Sequence, residues 1–139
     1  MNATELLSQL SRSVVAGAWN RVVFSHLPST NTLGKEIAST YLRQSYPLVP
    51  SVIVALQQTR GRGRLGREWV SPPGGIYASL VVPGDSRDGL SDLPLKLAVA
   101  LCEELDRVLD APCRLKWPND LMVEGRKLGG ILVESVGRG

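Results

Sequence analysis

Hydrophobic positions recur along the chain with two different spacings, and each spacing predicts one type of element. Within residues 92–109, Leu97, Ala98, Leu101 and Leu105 recur every three or four positions with acidic residues between them, as in an amphipathic helix. Residues 51–57 are instead a continuous, β-branched run of the kind that forms a buried strand. These patterns predict helices over 4–16, 31–43 and 92–109, strands over 21–27, 51–57, 76–82 and 113–117, and a hairpin with strands 121–124 and 127–134 around Gly125-Arg126.

The order of these elements indicates the fold class. Strands and helices mix without a regular βαβ alternation, which favours an α+β or mixed α/β domain with helices flanking a largely antiparallel sheet. A length of 139 residues is typical of one domain. The last predicted strand lies close to the end of the chain, so the sheet is expected to have an uncovered edge there.

Composition excludes several classes of protein. Hydrophobic residues make up 43% and charged residues 21%, which supports a packed core rather than a disordered tail. No apolar run approaches the roughly 20 residues of a membrane-spanning helix, and residues 1–19 lack the pattern of a secretory signal. The two cysteines form neither a disulfide framework nor a zinc motif, so reduced thiols and a cytoplasmic location are expected.

The net charge of +3 comes from one short segment. Arg60, Arg62, Arg64 and Arg67 stand against Glu68, while the rest of the chain carries 12 basic and 12 acidic residues. This distribution indicates one anionic ligand at one loop. It argues against the broad basic face of a DNA-binding protein.

The same segment contains glycines that formally match G-x-G-x-x-G over residues 61–66. A dinucleotide-binding turn must lead into a helix, whereas this one leads to Trp69 and then to Pro72-Pro73. We therefore predict a mobile loop that is disordered until its arginines bind phosphate or carboxylate oxygens. A solvated surface turn or an RNA contact is the alternative.

A second polar segment follows the predicted strand 113–117. Asp120 could bind hydrated Mg²⁺ or orient a nucleophile, or Pro118-Asn119-Asp120 could be only a turn. Gly129-Gly130 inside the next strand indicates either close approach of a ligand or a β-bulge. His26, the only histidine, is predicted to lie in the core, Ser29 to cap a helix, and Cys102 to pack in the core.

Taken together, these segments resemble the catalytic domain of biotin protein ligases over about residues 20–135. The resemblance rests on the order and spacing of Ser29-Thr30-Asn31, of 57–69 (QQTRGRGRLGREW), of 71–77 (SPPGGIY), of 116–120 (KWPND) and of 126–132 (RKLGGIL). It implies a fold like that of class II aminoacyl-tRNA synthetases. It also implies that biotin is activated by MgATP to biotinyl-5′-AMP and passed to a lysine of a biotin carboxyl carrier domain.

The resemblance also implies roles for individual residues. The catalytic residues are expected to be Lys127, Arg64 and Asp120, with Asp120 also expected near the Mg²⁺ that accompanies ATP. Biotin is expected to bind at Ser29, Thr30, Asn31, Gln58, Gly61, Arg62, Arg64, Lys127 and Gly130. The nucleotide is expected to bind at Arg64, Arg67, Trp69, Lys116, Asn119, Asp120 and Lys127.

The length of the chain differs from the family pattern at both ends. Only 28 residues precede Ser29, too few for the helix-turn-helix domain of some members, so we expect no specific DNA binding. Residues 1–139 are expected to be the N-terminal portion of the catalytic domain, without its remainder or the small β-barrel domain. A related acyl transfer by a lipoate ligase or octanoyltransferase, and a non-catalytic biotin-binding fragment, remain alternatives. A second copy of the chain, forming a homodimer, is a candidate partner.

Overall fold

The computed structural model describes residues 19–84 and 92–137, which divide into two units. One unit extends to Gly84 and includes Val136 and Gly137, and the other extends to Ser135. The helix predicted over 4–16 lies outside the described residues. Within the described residues, no helix is long and apolar enough to cross a bilayer.

The first unit is built on a three-stranded sheet with the order β1-β2-β5. Strand β1 (Asn20–Phe24) runs parallel to β2 (Ser51–Ala55), and β5 (Tyr77–Val81) runs antiparallel to β2. Strand β2 is almost wholly buried, as its β-branched run predicts. The predicted strands 21–27, 51–57 and 76–82 are confirmed with shorter bounds.

Helix α1 (Thr30–Gln44) packs on this sheet and begins where its capping residue predicts. The side chain of Ser29 accepts a hydrogen bond from the Thr32 amide at 3.4 Å, which confirms its capping role. The helix ends at Ser45, which adopts the left-handed conformation with φ 55°. Gly34 faces the sheet so closely that an added Cβ would lie 3.0 Å from the Cγ2 atom of Val81.

The arginine- and glycine-rich segment is an antiparallel hairpin, so the prediction of a loop without regular structure is wrong. Strand β3 (Gln58–Arg62) pairs with β4 (Glu68–Ser71), and a 3-10 turn at Arg64–Gly66 connects them. The cross-strand pair Arg62 and Glu68 places opposite charges at the end next to the turn. At the other end, polar contacts of Gln58 and Ser71 hold the strands together.

The second unit packs helix α2 (Leu93–Leu105) against a three-stranded antiparallel sheet. The strands are β6 (Cys113–Lys116), β7 (Asp120–Val123) and β8 (Arg126–Gly130), in that order. Its buried hydrophobic core consists of Ala98, Cys113 and Leu121. Cys102 packs against these residues, as predicted for the apolar side of the helix.

Two details of the sequence interpretation change. The predicted strand 127–134 ends at Gly130, and the register of β7 and β8 shifts so that Leu128 is an extra residue beside Gly129. A β-bulge therefore accompanies these glycines. His26 is exposed, with Ser25 Oγ 3.1 Å from its Nδ1 atom, so the prediction of a core histidine is wrong: β1 ends at Phe24, before the histidine.

The described residues confirm the mixed α+β class. All described strand pairs are antiparallel except β1 with β2.

Candidate functional site

A cluster of buried polar side chains lies where α1 begins. Ser29 and Thr30 are only 2% and 4% exposed, although hydroxyl side chains usually face solvent. Burial of these groups is tolerable only where each finds a hydrogen-bond partner. The helix N-terminus also presents amide N–H groups and the positive end of the helix dipole. This end of α1 is thus suited to hold a ligand that offers hydrogen-bond acceptors.

Gln58 at the start of β3 is the centre of the cluster. Its Oε1 atom accepts hydrogen bonds from the Thr30 amide at 2.8 Å and from Thr30 Oγ1 at 3.2 Å. Its Nε2 atom donates to Ser71 Oγ, the last residue of β4, at 2.9 Å. The carboxamide therefore joins helix α1 to the hairpin.

Two serines extend the cluster at its ends, and the sequence interpretation gave neither a ligand role. Ser79 Oγ donates to Thr30 Oγ1 at 2.8 Å, and Ser71 Oγ donates to the carbonyl oxygen of Trp69 at 3.0 Å. Ser79 lies in the apolar strand β5 on the same face as Tyr77 and Val81. A hydroxyl on the inner face of a hydrophobic strand was the available signal.

Two further residues of the hairpin, Gly61 and Arg62, lie against this cluster or the first turn of α1. Gly61 is buried, and a Cβ built on it would lie 2.6 Å from Ser71 Oγ and 2.9 Å from Gln58 Nε2. Only a residue without a side chain fits there. Arg62 Nη1 donates to Asn31 Oδ1 at 3.3 Å, so one arginine of the hairpin reaches the first turn of α1.

The other predicted residues of the hairpin lie in more open surroundings. Arg64, the first residue of the turn, and Arg67, which follows the turn, are exposed. Trp69 in β4 is half-buried and pairs with Gly61. A cleft of about 360 Å³ lies along one face of α1 and beside the hairpin residue Arg62; it is lined by Thr32, Lys35, Glu36, Ser39, Arg43 and Arg62. With three cations and one carboxylate, this lining suits an anionic group.

The turn before β5 is fixed by a tyrosine. Tyr77 Oη donates to the carbonyl oxygen of Pro72 at 2.7 Å, which closes the segment Pro72–Gly75 against the strand. Burial raises the pKa of the Tyr77 hydroxyl above its ordinary value.

The second unit brings its predicted residues together at one end of its sheet. Lys127 Nζ lies 2.7 Å from Asp120 Oδ1, with the lysine side chain 42% and the aspartate side chain 25% exposed. Asp120 pairs in register with Lys116 on one side and with Gly130 on the other. Asn119 Nδ2 donates to the carbonyl oxygen of Ile131 at 2.9 Å, which holds the preceding turn to the end of β8.

Asp120 follows the turn at Pro118-Asn119 and forms an ion pair with Lys127, so it is more than a turn residue, while its role toward Mg²⁺ or a nucleophile stays a prediction. Within the described residues, no group of three or more His, Cys, Asp or Glu side chains could hold a metal ion. Mg²⁺ in nucleotide sites commonly takes one or two carboxylates together with phosphate oxygens and waters. Asp120 fits that smaller requirement.

Both cysteines of the chain lie at the hydrophobic core of the second unit. Cys102 and Cys113 are free thiols with their sulfur atoms 3.3 Å apart. Burial and the neighbouring Cys113 thiol raise the pKa of Cys102 to about 11. The Cys102 thiol is therefore protonated near pH 7.

Comparison with known proteins identifies relatives of one kind. A family profile described as Biotin/lipoate A/B protein ligase family matches residues 23–139. The biotin–[acetyl-CoA-carboxylase] ligase of Paracoccus denitrificans is 41% identical over 90 residues, which is 63% of this chain and 38% of that protein. The bifunctional ligase/repressor BirA of Escherichia coli K12 is 34% identical over 142 residues, covering 99% of this chain and 40% of that protein.

Solved structures give the same result. The biotin protein ligase of Aquifex aeolicus in complex with biotin and ATP superimposes with a TM-score of 0.70 at 34% identity, covering 84% of this chain and 47% of that one. The Leishmania major ligase with biotinyl-5-AMP gives a TM-score of 0.70 at 27% identity, covering 88% and 53%. The chain thus spans less than half the length of the P. denitrificans, E. coli and A. aeolicus proteins.

Proposed function

Because the chain belongs to the biotin/lipoate A/B protein ligase family, we propose that it activates biotin with ATP and transfers the biotinyl group to a lysine of a carrier protein. The biotin carboxylate attacks the α-phosphate of ATP, which forms biotinyl-5′-AMP and releases pyrophosphate. The deprotonated lysine amine then attacks the acyl carbon, an amide forms and AMP leaves. Residues 1–139 form the N-terminal part of the catalytic domain in this proposal.

The observation that carries the proposal is the hydrogen-bond network around Gln58. Both acceptor positions of its Oε1 atom are used by Thr30, and one Nε2 hydrogen is used by Ser71. The second Nε2 hydrogen has no acceptor among the described residues. Ser29 accepts from Thr32, which leaves the Ser29 hydroxyl hydrogen in the same condition. The network therefore offers donors, and a urea carbonyl such as that of biotin is a strong acceptor.

Residues of the first turn of α1 and of the hairpin complete the proposed biotin site. Asn31, beside Ser29 and Thr30, adds a carboxamide, and Gly61 lets the hairpin backbone come close. Arg62, Arg64 and Arg67 supply positive charge for the biotin carboxylate and the phosphates. Attack of a carboxylate on a polyanion requires such charge, because the reactants repel each other.

The second unit supplies the proposed groups for chemistry. Lys127 is a cation held by Asp120 at 2.7 Å, and in our proposal it contacts the biotin carboxylate and the α-phosphate. Lys116 and Asn119 contact the nucleotide, as does Trp69 of the hairpin, and Gly130 allows close backbone approach. Asp120 would hold the Mg²⁺ that accompanies ATP, an ion that screens the phosphate charge when bound.

Asp120 has a further proposed part in the transfer step. A lysine side chain has a pKa of about 10.4 in water, so the acceptor amine must lose a proton before it attacks. In our proposal, the Asp120 carboxylate accepts this proton. The proposed partner is a biotin carboxyl carrier domain, and the free thiols fit a reducing compartment such as the cytoplasm.

Mass detection of an acyl-adenylate tests the proposal directly. The chain is incubated with MgATP and either biotin, lipoate or octanoate, and each reaction is analysed for the corresponding adenylate. Biotinyl-adenylate alone is the expected result. A lipoyl or octanoyl adenylate instead would place the activity with the lipoate branch of the family. No adenylate, together with calorimetric binding of biotin, would reduce the chain to a biotin-binding fragment.

A further inference from the structure

Ser71 is one of the two serines of the Gln58 network to which the resemblance assigns no ligand role. It is 4% exposed, ends strand β4 and pairs directly across the hairpin with Gln58. Its hydroxyl accepts from Gln58 Nε2 at 2.9 Å and donates to the Trp69 carbonyl at 3.0 Å. A side chain placed in this way cannot act on a ligand alone, since both of its hydrogen bonds are made within the hairpin.

The direction of every hydrogen bond in this network follows from one unambiguous donor. The Thr30 amide can only donate, so the Gln58 atom that it contacts at 2.8 Å must be Oε1. The other end of the carboxamide is then Nε2, and Ser71 must accept from it. The Ser71 hydroxyl hydrogen is thereby directed to Trp69, whose carbonyl can only accept. Each bond fixes the orientation of the next.

We infer that Ser71 is a positioning residue that holds the Gln58 carboxamide in the orientation that binds ligand. With Oε1 held by Thr30 and one Nε2 hydrogen held by Ser71, only the second Nε2 hydrogen remains for a ligand carbonyl. Without the Ser71 hydroxyl, both Nε2 hydrogens are available to water, so the hairpin no longer fixes this end of the carboxamide. The Trp69 carbonyl also loses a hydrogen-bond donor. This inference rests on the proposed function for the identity of the ligand, but not for the orientation of Gln58.

Biotin binding by Ser71→Ala, measured by isothermal titration calorimetry on the full chain, tests the inference. Loss of one positioning hydrogen bond should weaken biotin affinity about tenfold. Ser51→Ala is a matched control, because Ser51 is 5% exposed and its hydroxyl also donates to a carbonyl two residues earlier, Val49, at 2.9 Å. That variant should lose stability similarly and change biotin affinity less than about twofold.

A double-mutant cycle separates positioning from general destabilisation. If Ser71 acts through Gln58, Ser71→Ala should weaken binding about tenfold in the wild-type background and have little further effect in Gln58→Ala. Equal effects in both backgrounds, or an affinity within twofold of wild type for Ser71→Ala, would overturn the inference. If Ser71→Ala fails to fold, Ser71→Cys keeps the side-chain shape with a weaker hydrogen-bonding group and takes its place.

A second measurement works without any ligand. In protein labelled with ¹⁵N-glutamine, the Gln58 Nε2 hydrogens are assigned by their absence in Gln58→Ala. In wild type and in Ser51→Ala, the Nε2 hydrogen that is donated to Ser71 should exchange slowly with solvent, whereas in Ser71→Ala both Nε2 hydrogens should exchange rapidly. Unchanged exchange in Ser71→Ala would refute the positioning role. Failure of the wild-type chain to bind biotin would refute the proposed function, and the exchange measurement would still decide the role of Ser71.

Discussion

Replacing Gly61 by alanine should disrupt the candidate site more than any other single-methyl change in the hairpin. Gly61 is buried and pairs with Trp69 across β3 and β4. A Cβ atom at this position would lie 2.6 Å from Ser71 Oγ, 2.9 Å from Gln58 Nε2 and closest of all to the Trp69 carbonyl oxygen. The methyl group therefore meets three atoms that are joined by hydrogen bonds.

The size of the effect follows from how far these atoms must move. Ordinary contact with a Cβ begins near 3.4 Å, so Ser71 Oγ alone must retreat by about 0.8 Å. Overpacking of this kind costs about 1–3 kcal/mol, and each hydrogen bond broken to relieve it costs about 1 kcal/mol. We expect the free energy of unfolding to fall by about 2–4 kcal/mol and biotin affinity to fall by at least about tenfold.

Urea unfolding followed by circular dichroism, together with calorimetric titration of biotin, measures both effects. Gly63→Ala is the matched control in the same hairpin: Gly63 has φ −113°, which alanine adopts freely, and its nearest contact for a Cβ is 3.4 Å. That variant should stay within about 0.5 kcal/mol of wild type. If Gly61→Ala were as stable as Gly63→Ala and bound biotin equally well, the close packing of hairpin and network would be wrong.

Three further predictions concern other parts of the chain. Lys127→Ala should lower the rate of biotinyl-adenylate formation at least about 100-fold in a mass assay. Its free energy of unfolding should change by no more than about 1 kcal/mol, because the Lys127–Asp120 ion pair is partly exposed. Arg126→Ala, at an exposed neighbouring position, is the control and should be fully active. Ser29→Ala should lower the free energy of unfolding by about 0.5–2 kcal/mol through loss of the helix cap and also weaken biotin binding, and unchanged values in both assays would contradict its dual role. Folding raises the pKa of Cys102 from 9.0 to about 11, so the thiol loses its proton at a lower pH in the unfolded chain than in the folded chain. The free energy of unfolding should therefore decline as pH rises from 9 to 11. Urea unfolding across that range should show a shallower decline in Cys102→Ala, and identical slopes would show that Cys102 does not titrate in this way.

The sequence was most informative where local chemistry decides the structure. The start of helix α1 was predictable to within one residue, because a capping hydroxyl precedes a four-residue apolar repeat; the predicted helix begins at Asn31 and the observed one at Thr30. Strand β2 was predictable because a run of β-branched residues favours one buried conformation. In both cases, the residue types of one short segment suffice to predict the element.

The hairpin was missed because its stability depends on residues far apart in sequence. Charge and glycine content favour a loop, whereas Gln58, Ser71 and Thr30 stabilise strands through hydrogen bonds that join positions up to 28 residues apart. No local pattern reports such a contact. The same reason explains why Ser79 was overlooked: its partner Thr30 lies 49 residues away.

The division of the chain into two units separates two kinds of chemistry, and this has a consequence for how variants should behave. In the first unit, neutral groups around Gln58 offer the hydrogen-bond donors that we propose to recognise biotin. In the second, the half-exposed ion pair of Lys127 and Asp120 offers charge, which acts most strongly on groups whose charge changes during reaction. Substitutions at Gln58 or Ser71 should therefore act mainly on the biotin dissociation constant, and substitutions at Lys127 mainly on turnover. Such a division would let binding persist where catalysis is lost, so the two activities must be measured separately on every variant.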